Sequence, residues 1–179
     1  MPSRAQALKD FYGGPVGKAH REAANATMID SDNVLLLHPA NPTSGFSLES
    51  KTRPPARSNE ARSVLIVATI YYFNAPVEAP FVQFFKKTLK PAVTDSGATV
   101  VAYFVAEHSE NTFPALPVRE GENVFVWFAR FDDAPAYERY LAALIQSPRW
   151  HDEISKELAR RLKRAPEILK LWPTTRSLL

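Results

Sequence analysis

Residues 63–73, SVLIVATIYYF, form a near-continuous run of apolar, β-branched and aromatic side chains. The run has the length of one strand, and apolar residues at successive rather than alternate positions suit a strand covered on both faces. A central strand is therefore predicted there. Immediately upstream, residues 39–63 read PANPTSGFSLESKTRPPARSNEARS, with four prolines, many small polar residues and almost no apolar period. Such a composition reads as a linker. The expected division is residues 1–39 as a partial unit, 40–62 as the linker and 63–179 as a complete unit.

Working outward from the strand, Pro76 and Glu78 open a helical stretch. In it Phe81, Phe84, Phe85 and Leu89 recur at spacings of three and four, and Lys86, Lys87 and Lys90 lie toward its C-terminal end. Pro91 should kink this helix and Gly97 should close it. ATVVAYFVAE (98–107) and ENVFVWFARF (122–131) read as a second and third strand. The segment between them carries Pro114, Pro117 and Gly121 and is too long for a tight turn, so it is expected to form a lid or edge flap. Asp133 should cap a helix whose apolar face is Tyr137, Tyr140, Leu141, Leu144 and Ile145. Ser147 and Pro148 interrupt it, a further helical piece runs from Arg149 to about Arg164, and PEILKLW (166–172) closes the unit as a last strand.

Strand, helix, strand, strand, helix, strand with right-handed crossovers is the ferredoxin-like βαββαβ order, an α+β fold with helices on one face of an antiparallel sheet. Its other face is expected to be bare in the single unit and to be covered by a second sheet. The N-terminal part echoes the end of this unit. A constant offset of 133 residues sets Pro2 against Pro135, Leu8 against Leu141 and Pro15 against Pro148, and one inserted residue later VLLLHP (34–39) lies over ILKLWP (168–173). Residues 1–39 then correspond to the last helices and final strand of an earlier unit. Either this piece docks on an edge of the complete unit, or the chain is a shortened form; the second is expected, because Met1 falls where the complete unit has Ala134.

Two stretches carry a resemblance to a known family: AHREAANATMIDSDNVLLL (19–37) and SPRW at Ser147–Trp150. On these the chain resembles the NIPSNAP family, built from ferredoxin-like units that pair as dimeric α/β barrels. The resemblance implies a homodimer and a barrel interior; it supplies no catalytic residue to transfer. Animal members are associated with mitochondria and with interactions at membranes or vesicles, and bacterial members are mostly unassigned. One departure is visible: where the family's first unit has Pro-x-Trp, this chain has Pro15, Val16 and Gly17.

The chain has 179 residues and no cysteine, which excludes disulfides, thiolate zinc sites and cysteine nucleophiles. A net charge of +3 from 22 basic and 19 acidic residues is too small to imply nucleic-acid binding. No apolar run approaches the ~20 residues of a membrane span, and the N-terminus lacks the apolar segment of a secretory signal, so the expected address is cytoplasmic. The four histidines form no His-x-His or His-x-x-x-His pair, so no metal and no cofactor are expected. The cluster Arg160, Arg161, Lys163, Arg164 reads as an ordinary cationic helix end.

Strict alternation puts Thr99, Val101, Tyr103, Val105 and Glu107 on one face of the second strand and Val124, Val126, Phe128 and Arg130 on one face of the third. The purely apolar sets, Val100, Ala102, Phe104 and Ala106 with Phe125, Trp127, Ala129 and Phe131, are assigned to the helices. Tyr103, Glu107 and Arg130, with Tyr71 or Tyr72 from the first strand, are therefore the expected ligand-binding residues of a barrel interior, Tyr71 being the preferred member. The competing expectation is a structural Glu107–Arg130 ion pair. Two functions follow: a protein that binds a small apolar ligand or serves as an interaction module, or a cofactor-independent monooxygenase-like enzyme acting on a small apolar or aromatic molecule. The first is preferred, because no histidine falls within a predicted strand interior to act as a base.

Overall fold

The computed structural model describes residues 2–47, 52, 55 and 63–179. The expected linker therefore lies mostly outside the described residues. The chain divides into two compact units, Met1–Leu36 with Glu107–Glu122, and Leu37–Ala106 with Asn123–Leu179.

In the first unit, helices α1 (Pro2–Gly13) and α2 (Pro15–Asn25) meet at Gly14 and Pro15. Pro15 suits the first turn of α2 because its missing N–H has no helical partner to lose. Gly17 is buried, and a Cβ there would collide with the Phe11 carbonyl oxygen, so the close approach of α2 to the end of α1 admits only glycine. That is the physical reason for Pro-Val-Gly where Pro-x-Trp is expected. The segment expected as a lid or flap is tied down within this unit. Arg119 N–H donates to the Val34 carbonyl (2.8 Å) and Glu107 N–H to that of Leu36 (2.8 Å). Arg4 donates to the Asn111 side chain (2.9 Å), and the Phe113 ring stacks on Tyr12 at 5.8 Å.

The second unit is a five-stranded antiparallel sheet in the order β1-β3-β4-β2-β5, with strands β1 (Leu37–Pro39), β2 (Leu65–Phe73), β3 (Thr99–Ala106), β4 (Asn123–Phe131) and β5 (Glu167–Leu171). The last four in the order β5-β2-β4-β3 are the ferredoxin-like arrangement, an α+β fold. β1 extends the sheet at its β3 edge, pairing Leu37 with Ala106 and Pro39 with Phe104. The strand expected at Val34–Leu37 thus begins three residues later.

Helices α3 (Ala79–Phe84) and α4 (Lys90–Asp95) flank a π-helical turn, Phe85–Leu89, in which Lys90 N–H reaches back to the Phe85 carbonyl. Pro91 has no N–H to donate and its ring crowds the carbonyl four residues earlier; the widened turn just before it is the form the predicted kink takes. Gly97, at φ +111°, ends this segment. Helix α5 (Ala134–Gln146) starts on Asp133, whose carboxylate accepts from Ala136 N–H at 2.7 Å. It ends at Ser147, where ψ turns to 115°, and a second π-helical turn (Trp150–Ile154) leads into α6 (Ser155–Arg161).

The helices cover the sheet face carrying Leu65, Val67, Tyr71, Phe125, Trp127, Ala129 and Phe131, with Phe81, Phe85, Leu89, Tyr140 and Leu158 packed on it. The other face was expected to be bare. It is not: Ile66, Tyr72, Val124 and Val126 are each 2% exposed or less in the single chain, and the Phe46 ring sits 5.4 Å from Phe104 and 5.0 Å from Phe128.

β3 contains a β-bulge that decides which side chains reach which face. Val100 pairs with Ala129, but the next pair is Ala102 with Phe128, so Val101 is an extra residue. Beyond it Tyr103 opposes Trp127 and Val105 opposes Phe125, on the helix side, while Phe104 opposes Val126 on the other. The strict alternation assumed from the sequence is inverted from Ala102 onward, which corrects the face assigned to Ala102, Tyr103, Phe104, Val105 and Ala106.

Removing the cap by Asp133→Ala should lower stability by about 1 kcal/mol, with Asp133→Asn retaining most of it, as read from urea midpoints. Equal midpoints for wild type and Asp133→Ala would show that α5 is held by packing alone.

Candidate functional site

Between the helix-side face of the sheet and α5 lies a cavity of about 280 Å³. Period-two geometry builds its floor: Val67, Thr69 and Tyr71 from β2, Trp127, Ala129 and Phe131 from β4, and Ile168 from β5, which pairs with Thr69. Helical spacing builds its roof: Tyr137, Tyr140, Leu141, Leu144 and Ile145 recur at intervals of three and four along α5, and Trp150 and Leu158 close the far side. Ile145 and Ile168, 60% and 50% exposed, stand at its open side with Pro166. None of the described residues lining it is charged.

The polar groups of this cavity are few. Burial pushes the Tyr71 hydroxyl far above the ordinary phenol range; the neighbouring Trp127 indole opposes the rise only in part, and its N–H completes no hydrogen bond of normal geometry. Burial raises Tyr140 as well, reinforced by the nearby Tyr71 and Tyr137 hydroxyls. Tyr137 is raised by burial and then by the Glu138 carboxylate, and its ring carries the Lys170 ammonium at 4.7 Å. All three phenols are therefore protonated at neutral pH. Trp127 is 4% exposed, and among the described residues its Nε1 is the one buried side-chain polar atom without a hydrogen-bond partner.

The structure distributes the residues singled out from the sequence rather than gathering them. Tyr71 lines this cavity on the helix side, which corrects its assignment to the barrel-interior face shared with Arg130; period two puts Tyr72, the alternative, on that face. Tyr103 is on the same helix-side face but faces different neighbours: its hydroxyl accepts from Asn41 Nδ2 at 2.8 Å and the Lys90 ammonium lies 5.9 Å from its ring centroid. Tyr72, the alternative to Tyr71, is on the opposite face. There it donates to Glu167 Oε2 at 2.7 Å beneath the Arg164 guanidinium, 3.6 Å from the ring centroid. Arg130 also belongs to that opposite face, pairing in register with Ile66 and Thr99, and its ion pair is with Asp132 at 3.8 Å. Glu107 follows the last residue of β3 and accepts from Ser109 N–H at 2.8 Å. Since Arg130 is opposite Thr99 at the other end of β3, the extended strand separates the two and the expected Glu107–Arg130 pair does not form.

Thr69, Trp127, Tyr137 and Tyr140 were not singled out as site residues. Two signals pointed to them: a threonine within an otherwise apolar strand, and two tyrosines three apart on one helix face. A larger groove of about 810 Å³ in the first unit is lined by Lys9, Tyr12, Arg21, Met28, Asp30 and Phe113 among others. Most of these side chains are exposed and of mixed charge, so it lacks the few converging polar groups of a small-molecule site.

The raised phenols set a pH dependence. Below about pH 10 Tyr71 and Tyr140 are protonated in both the folded and unfolded chain and contribute no slope. Above it they ionise in the unfolded chain while staying protonated in the folded one, so stability falls as pH rises through that range. Urea midpoints should therefore drop between pH 8 and pH 10.5 and drop less in Tyr71→Phe; an unchanged drop in that variant would contradict the burial of this hydroxyl.

No protein-family model and no curated protein matches the chain. Among solved structures, it is similar to an uncharacterized NIPSNAP-like domain protein from Burkholderia xenovorans, at 18% identity and a TM-score of 0.51 over 65% of this chain and 90% of that one. A second NIPSNAP domain protein from that organism matches at 16% identity and a TM-score of 0.49, over 62% of this chain and 94% of that one. A NIPSNAP family protein from Agrobacterium tumefaciens matches at 13% and 0.48, over 62% and 93%. The chain thus has the fold of a NIPSNAP-like domain.

Proposed function

We propose that this protein binds a small apolar molecule in the cavity between the sheet and α5. The observation that carries the reading is the cavity itself: about 280 Å³ of space lined by aliphatic and aromatic side chains with three protonated phenols, inside a well-packed core. A dry apolar cavity of about 150 Å³ holds benzene, so this one has room for a bicyclic aromatic. Binding is favoured over oxygenase chemistry because the described lining residues include no carboxylate or imidazole, and phenols held above their ordinary range are poor bases at neutral pH.

Pairing of two copies belongs to the same reading. Leu169 and Leu171 of edge strand β5, with Trp172 just after it, remain 41%, 43% and 61% exposed, an apolar edge of the kind that proteins normally cover. Contact along β5 would cover it. Light scattering at micromolar concentration should give a dimer that Leu169→Lys with Leu171→Lys converts to monomer; a wild-type monomer would remove this part of the proposal.

The cavity reading is tested by filling it. Naphthalene should bind one per chain by calorimetry, and Leu144→Trp, which places an indole in the cavity, should weaken that binding at least tenfold. Overpacking there costs about 1–3 kcal/mol, so the variant's circular dichroism and melt report whether the fold survives. Undiminished binding by a folded Leu144→Trp would locate the ligand elsewhere, and no naphthalene binding by wild type would end the proposal.

A further inference from the structure

Resting on that reading of the cavity and of pairing along β5, we infer that a second copy of this chain closes the cavity's open side, so that apolar ligand and dimer stabilise one another. Two features coincide in place. Among the described residues of the second unit, the large apolar side chains left exposed are Ile145, Ile168, Leu169, Leu171 and Trp172, all at the end of α5, on β5 or just after it. Ile145 and Ile168 also line the cavity at its open side, with Pro166. Ile168 thus belongs both to the mouth of the cavity and to the exposed edge strand.

The edge of β5 is open to another strand. Among the described residues β5 pairs with β2 alone, at the end of the sheet. Charged side chains commonly guard such edges, but those of β5 are turned to partners within the chain. Lys170 lies 4.7 Å from the Tyr137 ring centroid and 3.5 Å from the Glu138 carboxylate, and Glu167 accepts from the Tyr72 hydroxyl at 2.7 Å. A second copy fits this edge, because antiparallel pairing of β5 with itself offers the free backbone groups of both copies the same partners. Residues opposite one another in such a pair share a face. The second copy's Ile168 and Lys170 therefore come up beside Ile168 on the cavity side, while Leu169 and Leu171, opposite Ala68 and Ile66, meet on the other face. The five exposed apolar residues present roughly 500 Å² per copy, and two copies reach the ~1,000 Å² that a specific interface needs.

Calorimetry with naphthalene and sedimentation of the chain test the coupling. Wild type should bind naphthalene about tenfold more tightly than the monomeric Leu169→Lys with Leu171→Lys variant, the effect of taking about 55 Å² of ligand surface out of water. Neither leucine faces the cavity, so the variant loses the second copy and no lining residue. By linkage, with two cavities in each dimer, saturating naphthalene should lower the wild-type dimer dissociation constant about 100-fold. Equal naphthalene affinity in the folded variant, or a wild-type dissociation constant that naphthalene does not move, would overturn the inference and leave binding and pairing standing. A wild-type dimer that takes up no naphthalene would instead end the cavity reading, and a wild-type monomer that binds it would end the pairing reading; either result removes the inference too. The wild-type sedimentation with and without naphthalene alone decides the case if the double variant does not fold.

Discussion

Nine antiparallel pairs join β2 to β4, from Leu65 opposite Phe131 to Phe73 opposite Asn123, and most side chains in them are buried on whichever face they point to. Such a ladder has no polar face to give to water. Helices must cover one side, and other parts of the chain must cover the second. The amphipathic faces of α3, α5 and α6 and the Phe46 ring on Phe104 and Phe128 are answers to that requirement. The cavity lies where that covering is incomplete, between the face of α5 and Thr69, Tyr71 and Trp127.

Within that frame, one extra residue redirects the chemistry. The bulge at Val101 sends Tyr103 beneath the helices and leaves Phe104 on the opposite face, while the unbroken register of β2 and β4 sets Tyr71 and Trp127 on the helix side and Arg130 on the other. The cavity beneath α5 is neutral and takes none of its described lining from β3. A neutral apolar pocket selects by shape rather than by charge.

Much of the fold is legible in the sequence because its signals are long and redundant. SVLIVATIYYF has only one reasonable reading, and Asp133, Pro148 and Gly97 mark boundaries by conformational chemistry that tertiary contacts do not override. The site is less legible because it rests on parity. A strand's faces are assigned by counting in twos, and nothing in ATVVAYFVAE announces the extra residue at Val101: it has no glycine, no proline and no positive φ. Tyr103 was misassigned for that reason, whereas the set Phe125, Trp127, Ala129 and Phe131, in an unbroken strand, was assigned correctly. Gly17 teaches the converse. The departure from Pro-x-Trp has no evident reason in the sequence until the backbone contact with Phe11 is known, which no local pattern encodes.

The central claim, that the cavity between the sheet and α5 takes a small apolar molecule, is tested most directly by following the indole N–H resonances during titration. The chain has three tryptophans, and only Trp127 and Trp150 line the cavity. Adding naphthalene to ¹⁵N-labelled protein should shift the Trp127 and Trp150 Nε1–H resonances to saturation and leave that of exposed Trp172 in place. A titration in which the Trp127 and Trp150 resonances both stay fixed, or in which Trp172 alone responds, would contradict the account.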